Sequence, residues 1–143
     1  MRLTMRTNLA MRVLMYCAVN TGRTVRKQDI ACACNASENH LAQVIHRLGV
    51  AGYLHTVRGR GGGLRLARPA ASITVGAVFR DFEGSVPVTE CFAGGNTCPL
   101  VGACRLRCKI GEALEAFYAA LDHVTLADLV ESNTELGTLL KVA

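Results

Sequence analysis

The sequence predicts a mostly α-helical fold with one small β-hairpin, laid out as a winged helix-turn-helix followed by a long C-terminal helix. Three observations carry that prediction. Two helical apolar stripes flank a tight connection at Asn35-Ala36, and two alternating segments flank the glycine- and arginine-rich residues 58–63. A third, longer apolar stripe occupies residues 105–123.

The first helix covers residues 7–20, where Leu9, Val13, Tyr16 and Cys17 recur at helical spacing and Thr21-Gly22 end the run. Arg2, Arg6 and Arg12 beside the apolar residues 13–19 faintly resemble a signal peptide. Arg12 breaks the apolar run, so an amphipathic helix of a folded domain fits better. A second helix begins at Thr24 or Arg26 and runs to Ala33, with Val25, Ile30 and Ala31 on its apolar side. Ser37 stands at the N-cap of a third helix, whose buried stripe is Leu41, Val44, Ile45 and Leu48, and Gly49 ends it. Helix, short turn and helix within a basic segment is the helix-turn-helix arrangement.

Residues 53–57 and 64–68 alternate as strands around Arg58-Gly59-Arg60-Gly61-Gly62-Gly63, which makes a hairpin wing. The glycines permit close approach to DNA, and Arg58 or Arg60 suits a narrow minor groove. A nucleotide phosphate loop is excluded, because Leu64-Arg65 stands where Lys and then Ser or Thr are required. A helix from Ser72 or Thr74 to Glu83 carries Val75, Val78, Phe79 and Phe82 on one side, with Gly84 ending it. Residues 84–104 form a long irregular loop with three cysteines, a length that in a compact chain points to function or disorder. The helix at 105–123 presents Leu106, Ile110, Ala113, Leu114, Phe117, Tyr118, Leu121 and Val124, more than one small core can cover. It is therefore expected to pack on the same helix of a second subunit. Thr125 and Asp128 form a capping box for a last short helix over residues 126–131. The chain thus divides into a DNA-binding winged helix-turn-helix (1–84), a cysteine-rich loop (85–104), and a dimerisation helix with a C-terminal segment (105–143).

Composition narrows the function classes. A chain of 143 residues buries roughly 68–70% of its unfolded surface, enough for one core with an appendage. Half its residues are hydrophobic, 19% are charged and the mean hydropathy is +0.26, which excludes a disordered chain. No run of about 18 apolar residues exists to span a membrane. Trp is absent and aromatics make up 5%, which argues against a base-stacking platform. Seven cysteines, an odd number, argue against a closed secreted disulfide framework and for a cytoplasmic protein with reduced thiols. The net charge of +5 conceals two opposite halves. Residues 1–68 hold ten Arg and one Lys against Asp29 and Glu38, a net +9, whereas residues 69–143 carry −4. An arginine-dominated basic half is the electrostatic footprint of a nucleic-acid reader.

The cysteines sort by position. Cys91, Cys98 and Cys104 fall at C-x6-C-x5-C among glycines that let three thiolates fold around one metal centre. The absence of C-x2-C spacing disfavours a zinc ribbon and leaves iron–sulfur ligation open. No His or Asp stands near these positions to activate a catalytic thiol, and no acid, base or substrate pocket is legible, so an enzyme is not expected. Cys17 belongs to the first helix's core stripe. Cys32 and Cys34, two apart on a helix, face different directions and are expected to be structural. Cys108 follows Cys104 by one helical turn; it either shares the metal centre or, the favoured reading, sits at the helix–helix seam.

Taken together, MRLTMRTNLAMRVLMYCAVN, SENHLAQVIHRLGVAGYLHTVRGRGGGLRLARPAASITVGAVFR and ECFAGGNTCPLVGACRL resemble the Rrf2 family of bacterial regulators over essentially the whole chain. The ending from ACRL onward most resembles the family's nitric-oxide-sensing repressors. The resemblance implies a homodimer that binds a palindromic operator in double-stranded DNA and holds an iron–sulfur cluster, 2Fe-2S or 4Fe-4S, through Cys91, Cys98 and Cys104. In such nitric oxide sensors a carboxylate early in the first helix of the partner subunit supplies the fourth ligand; the matching residue here is Asn8. In the cluster-status sensors a histidine three residues past the third cysteine does so, and here Arg107 stands there. The fourth ligand is therefore left among Asn8 of the partner subunit, Cys108, water or a small molecule. An Asn at this position also occurs in an iron-responsive branch of the family. Ser37, Asn39, His40 and Gln43 are the candidate DNA contacts of the third helix, Arg47 the expected phosphate contact, and Arg58 and Arg60 the wing contacts. A metal-free thiol redox switch is the alternative of a different class.

Overall fold

The protein is described by a computed structural model over residues 3–141. Met1, Arg2, Val142 and Ala143, included in the outermost regions assigned from sequence, lie outside the described residues. In chain order the elements are α1 (Met5–Val19), α2 (Lys27–Ala33), α3 (Glu38–Val50), β1 (Leu54–Val57), β2 (Gly63–Leu66), α4 (Val75–Glu83), α5 (Arg105–Asp122), α6 (Leu126–Val130) and α7 (Thr134–Leu140). Short 3-10 turns occupy Ala70–Ser72 and Glu90–Phe92. This is the winged helix-turn-helix architecture, mostly helical with one hairpin.

Helix α1 is the central rod. The Thr4 hydroxyl caps it by accepting from the Thr7 amide, and Leu9, Ala10, Val13, Leu14, Tyr16 and Cys17 are all buried. Only the Arg12 face stays open in this stretch. Burying Val13 and Leu14 completely contributes about 1.5–3 kcal/mol each, which explains why α1 collects α3, α4 and α6 around itself. Helix α2 turns into α3 through Asn35, which adopts φ 47°, a left-handed conformation that Asn tolerates. Leu41, Val44, Ile45 and Leu48 then bury one side of α3 against α1 and leave the other side to solvent.

Strands β1 and β2 pair antiparallel in the register Leu54↔Leu66, His55↔Arg65, Thr56↔Leu64 and Val57↔Gly63. Val25 joins the hairpin from the other side. Its amide donates to the Leu64 carbonyl at 2.9 Å, and the Leu64 amide donates back at 2.7 Å. A side chain at Gly63 would overlap the Val25 carbonyl oxygen, so the glycine is what lets the two backbones meet. The wing is thereby stitched to the start of α2.

The sequence placed the start of α4 at Ser72 or Thr74; Thr74 is the cap, accepting from the Ala77 amide at 3.3 Å. The expected capping box is present, with Thr125 N donating to Asp128 Oδ2 at 2.8 Å and the Asp128 amide returning to Thr125 Oγ1 at 3.1 Å. Residues flanking it pair with the start of α4: Val75 N donates to Val124 O and Leu126 N to Ile73 O, both at 2.8 Å. Helix α7 is absent from the sequence expectation. It is held by Asn20, a buried side chain whose Nδ2 donates to Leu140 O at 2.8 Å and to Tyr16 O at 2.9 Å. Leu126 and Leu140 belong to the same core cluster as Leu14 and Leu41, so residues 126–140 close the winged-helix core in addition to following α5. Among the described residues, no helix is long and apolar enough to cross a membrane.

Candidate functional site

The outward side of α3 carries the residues expected to meet DNA. Asn39, His40, Gln43 and His46 are exposed, as is Ser37 at the N-cap, whose hydroxyl makes no capping bond. At the wing tip Arg58 and Arg60 are exposed residues on the loop between β1 and β2. Arg47 also has partners inside the chain. Its guanidinium donates to the Asp81 carbonyl oxygen and lies 4.5 Å from the centre of the Phe82 ring. An arginine engaged inside the chain in this way ties α3 to α4.

The end of α4 is the site that sequence reasoning missed. Each of its last four residues grips a different part of the molecule. Arg80 Nη1 meets Asp122 Oδ1 at 2.6 Å, Nη2 meets Glu115 at 3.6 Å, and the guanidinium lies 4.6 Å from the Tyr118 ring centre, all on α5. Asp81 Oδ2 accepts from the Tyr53 hydroxyl at 2.5 Å at the root of the wing. Phe82 is buried beneath Arg47. Glu83, also buried, accepts from Thr4 N at 2.7 Å, from Thr4 Oγ1 at 2.9 Å and from the Thr7 hydroxyl, and so fixes the first turn of α1. Burial and the neighbouring Asp81 push the Tyr53 phenol up to about 12, so it stays a donor throughout the physiological range. Asp81 and Glu83 look like an ordinary solvated helix end in sequence; the only available signal was their place directly before a long loop.

That loop leaves α4 at Glu83 and returns at Cys104, the N-cap of α5. Cys91, Cys98 and Cys104 are all unpaired and half-buried, and Cys108 on the first turn of α5 is exposed. The Cys91 sulfur lies 3.0 Å from Thr89 Oγ1, and Arg107 Nε donates to the Cys91 carbonyl at 3.0 Å. Three free, half-buried thiols on one loop fit iron ligation in number and chemistry. The geometry stops short of a formed site. Among the described residues, no three His, Cys, Asp or Glu side chains converge closely enough to hold a metal ion. Asn8 is exposed on the first turn of α1, beyond the Thr4–Glu83 anchor. Between the end of α4, α5 and the loop lies a cavity of about 420 Å³ lined by Arg80, Glu83, Val86, Phe92, Leu114 and Tyr118. The loop therefore stands on a loosely filled footing.

The remaining thiols fall partly as expected. Cys17 is buried, and burial pushes its thiol up to about 12. Cys34 is also buried, its thiol raised by burial while the Arg12 charge opposes the shift. Cys32, expected to be structural, is exposed on the last turn of α2, where Ile30 is the residue that turns into the core. Helix α5 keeps its stripe largely uncovered in a single chain: only Tyr118 is buried, Ile110, Leu114, Phe117 and Leu121 are half-buried, and Leu106 is 68% exposed.

The family described as Rrf2, an iron-dependent transcriptional regulator, matches residues 3–132. The chain is 47% identical to the HTH-type transcriptional regulator NsrR of Geobacillus kaustophilus, over 99% of this chain and 97% of that protein. It is 41% identical to the NsrR of Bacillus subtilis over 99% of both chains. Its fold is similar to the solved structure of T. potens IscR, with a TM-score of 0.71 at 26% identity, covering 94% of this chain and 90% of that one. The family match over most of the chain and these relatives together show that the chain belongs to the Rrf2 family of transcriptional regulators.

Proposed function

We propose that this chain is a cytoplasmic, homodimeric repressor that carries an iron–sulfur cluster, senses nitric oxide, and controls genes of nitric oxide detoxification or denitrification. The observation that carries the reading is the set of three free, half-buried thiols on the single loop that connects α4 to α5, in a chain 47% identical to an NsrR. Cys91, Cys98 and Cys104 would hold the cluster, with Asn8 of the partner subunit or Cys108 at the remaining position. When bound, the cluster supplies iron that a small diatomic gas can reach.

The chain's own residues do the rest. Helix α3 enters the major groove, where Asn39, His40 and Gln43 offer hydrogen-bonding groups to base edges and Ser37 meets the backbone at the helix start. Arg58 and Arg60 follow the flanking minor groove or its phosphates. The uncovered stripe of α5 packs on its counterpart in a second copy, and a two-fold dimer reads a palindrome. Tying three thiols to one centre holds the 84–104 loop, and with it the relation between α4 and α5; freeing them slackens it. A few kcal/mol of difference in DNA affinity between the two conditions is enough to switch occupancy.

Anaerobic purification tests the ligand set. Visible absorbance is expected for the wild type and for Cys108→Ser, and is expected to vanish for Cys91→Ser, Cys98→Ser or Cys104→Ser. Colourless wild-type protein that still binds DNA in a thiol-dependent way would instead establish the metal-free redox switch.

A second reading is an iron-responsive (RirA-like) or cluster-status (IscR-like) regulator. It is favoured by Asn8, a neutral amide, in place of the carboxylate of the nitric oxide sensors. Chelation, not nitric oxide, would then lift DNA binding.

A further inference from the structure

We infer that the last turn of α4 is the coupling element between the cysteine loop and the DNA-reading elements, with the Tyr53–Asp81 hydrogen bond as its latch. The inference rests on the proposed function, and it assigns Tyr53, Asp81 and Arg47 as positioning residues that never touch DNA bases or iron.

The geometry is specific. Residue 84 opens the cysteine loop, so any change in the loop reaches α4 first at Glu83, Phe82, Asp81 and Arg80. Two of the elements held by this turn are the DNA readers. The Asp81 carbonyl and the Phe82 ring hold Arg47, which sits on α3 directly after solvent-facing His46 and one turn after solvent-facing Gln43. The Asp81 carboxylate holds Tyr53, the residue directly before β1 of the wing. Tyr53 is 2% exposed and is further fixed by Arg68, whose guanidinium lies 4.5 Å from its ring centre while Arg68 Nε donates to Gly52 O at 3.2 Å. Both readers are therefore held by one residue, Asp81, through two different atoms. The other two residues of the turn hold the frame: Arg80 binds α5, which re-emerges from the same loop, and Glu83 binds α1.

Such an arrangement moves as a unit. A hydrogen bond from a buried phenol to a carboxylate is short and directional, so a tilt of α4 is transmitted to the wing root. The cavity of about 420 Å³ beside Arg80 and Glu83 gives the turn room to tilt. The packed face of α3 against α1 is rigid by comparison, so α3 responds by rotating about that face rather than by deforming.

The test compares DNA affinity of anaerobically purified protein before and after a nitric oxide donor, on a duplex selected from a randomised pool by the loaded wild type. The wild-type ratio is expected to be about 100-fold. Tyr53→Phe removes one oxygen from a residue that cannot reach DNA, and is expected to shrink the ratio about tenfold while visible absorbance and thermal midpoint stay near wild type. Asp81→Asn, which keeps an acceptor oxygen, is expected to retain most of the ratio, and Asp81→Ala to lose it. A merely structural role would lower the thermal midpoint and both affinities together, leaving the ratio intact; that result overturns the latch. If the wild type itself shows no ratio, the nitric oxide reading fails along with it. If the wild type responds and Tyr53→Phe responds equally, the coupling proposal fails alone.

Discussion

The Thr7 hydroxyl donates to the Glu83 carboxylate across 76 residues of sequence, joining the first turn of α1 to the last turn of α4. Thr4 adds its amide and its hydroxyl to the same oxygen, so one buried carboxylate satisfies three donors. Glu83→Ala is expected to cost about 2–3 kcal/mol, because hydrogen bonds to a charged acceptor are lost and buried donors are left unmet. Urea unfolding checks this, and a loss below about 0.5 kcal/mol would mean that water replaces the carboxylate.

Gly76 on α4 faces Asp122 at the end of α5. A side chain at Gly76 would overlap the Asp122 carboxylate and come within 2.8 Å of its backbone nitrogen. Gly76→Ala is therefore expected to destabilise by about 1–3 kcal/mol through overpacking and to loosen the Arg80–Asp122 pair. Thermal unfolding of Gly76→Ala reads the effect, which should far exceed that of Gly137→Ala, where the added methyl group meets open space.

The DNA contacts separate by salt dependence. Arg58→Ala and Arg60→Ala should weaken binding to all duplexes and each reduce the slope of log affinity against log salt by about 1. Asn39→Ala and Gln43→Ala should cost about 1–3 kcal/mol on the preferred site and relax its sequence at one position each. Arg47→Met should leave the salt slope unchanged, since its charge is engaged by Asp81 and Phe82. A slope that falls on removing Arg47 would return it to the phosphate contacts.

Stability should fall in alkali, with a defined sign. The Cys17 thiol is raised from 9.0 to about 12 and the Tyr53 phenol from 10.0 to about 12, so the native chain holds both protons where the unfolded chain has lost them. Their contribution is fully present below pH 9 and is lost as pH climbs from there through 12. The urea midpoint should decline between about pH 9 and pH 12. Cys17→Ala should remove the part of the decline that begins near the thiol's ordinary value, whatever it does to stability at neutral pH.

Local chemistry was legible in the sequence wherever it acts over a few residues. The stripe Leu41, Val44, Ile45 and Leu48, the Thr125–Asp128 box and the wing glycines each determine structure within one turn or hairpin, and the structure places them accordingly. Helix α7 was missed because Gly137 lies in its middle and its stability comes from Asn20, more than a hundred residues away. The coupling turn was missed for the same reason. Asp81, Glu83 and Arg47 are indistinguishable from surface charges until the fold brings Tyr53, Thr4 and Phe82 to them. Cys32 was misjudged because its position depends on which side of a seven-residue helix meets the core. The three loop cysteines were legible as a group from spacing, yet their convergence depends on loop conformation, which spacing does not determine.

The central claim, cluster-gated DNA binding, is tested most directly by one titration. Anaerobically purified protein bound to its selected duplex is given increasing nitric oxide while visible absorbance and DNA occupancy are followed in the same sample. The account predicts that absorbance changes and DNA release follow one curve, with affinity falling about 100-fold at its end. Full occupancy retained after the absorbance change is complete would contradict it.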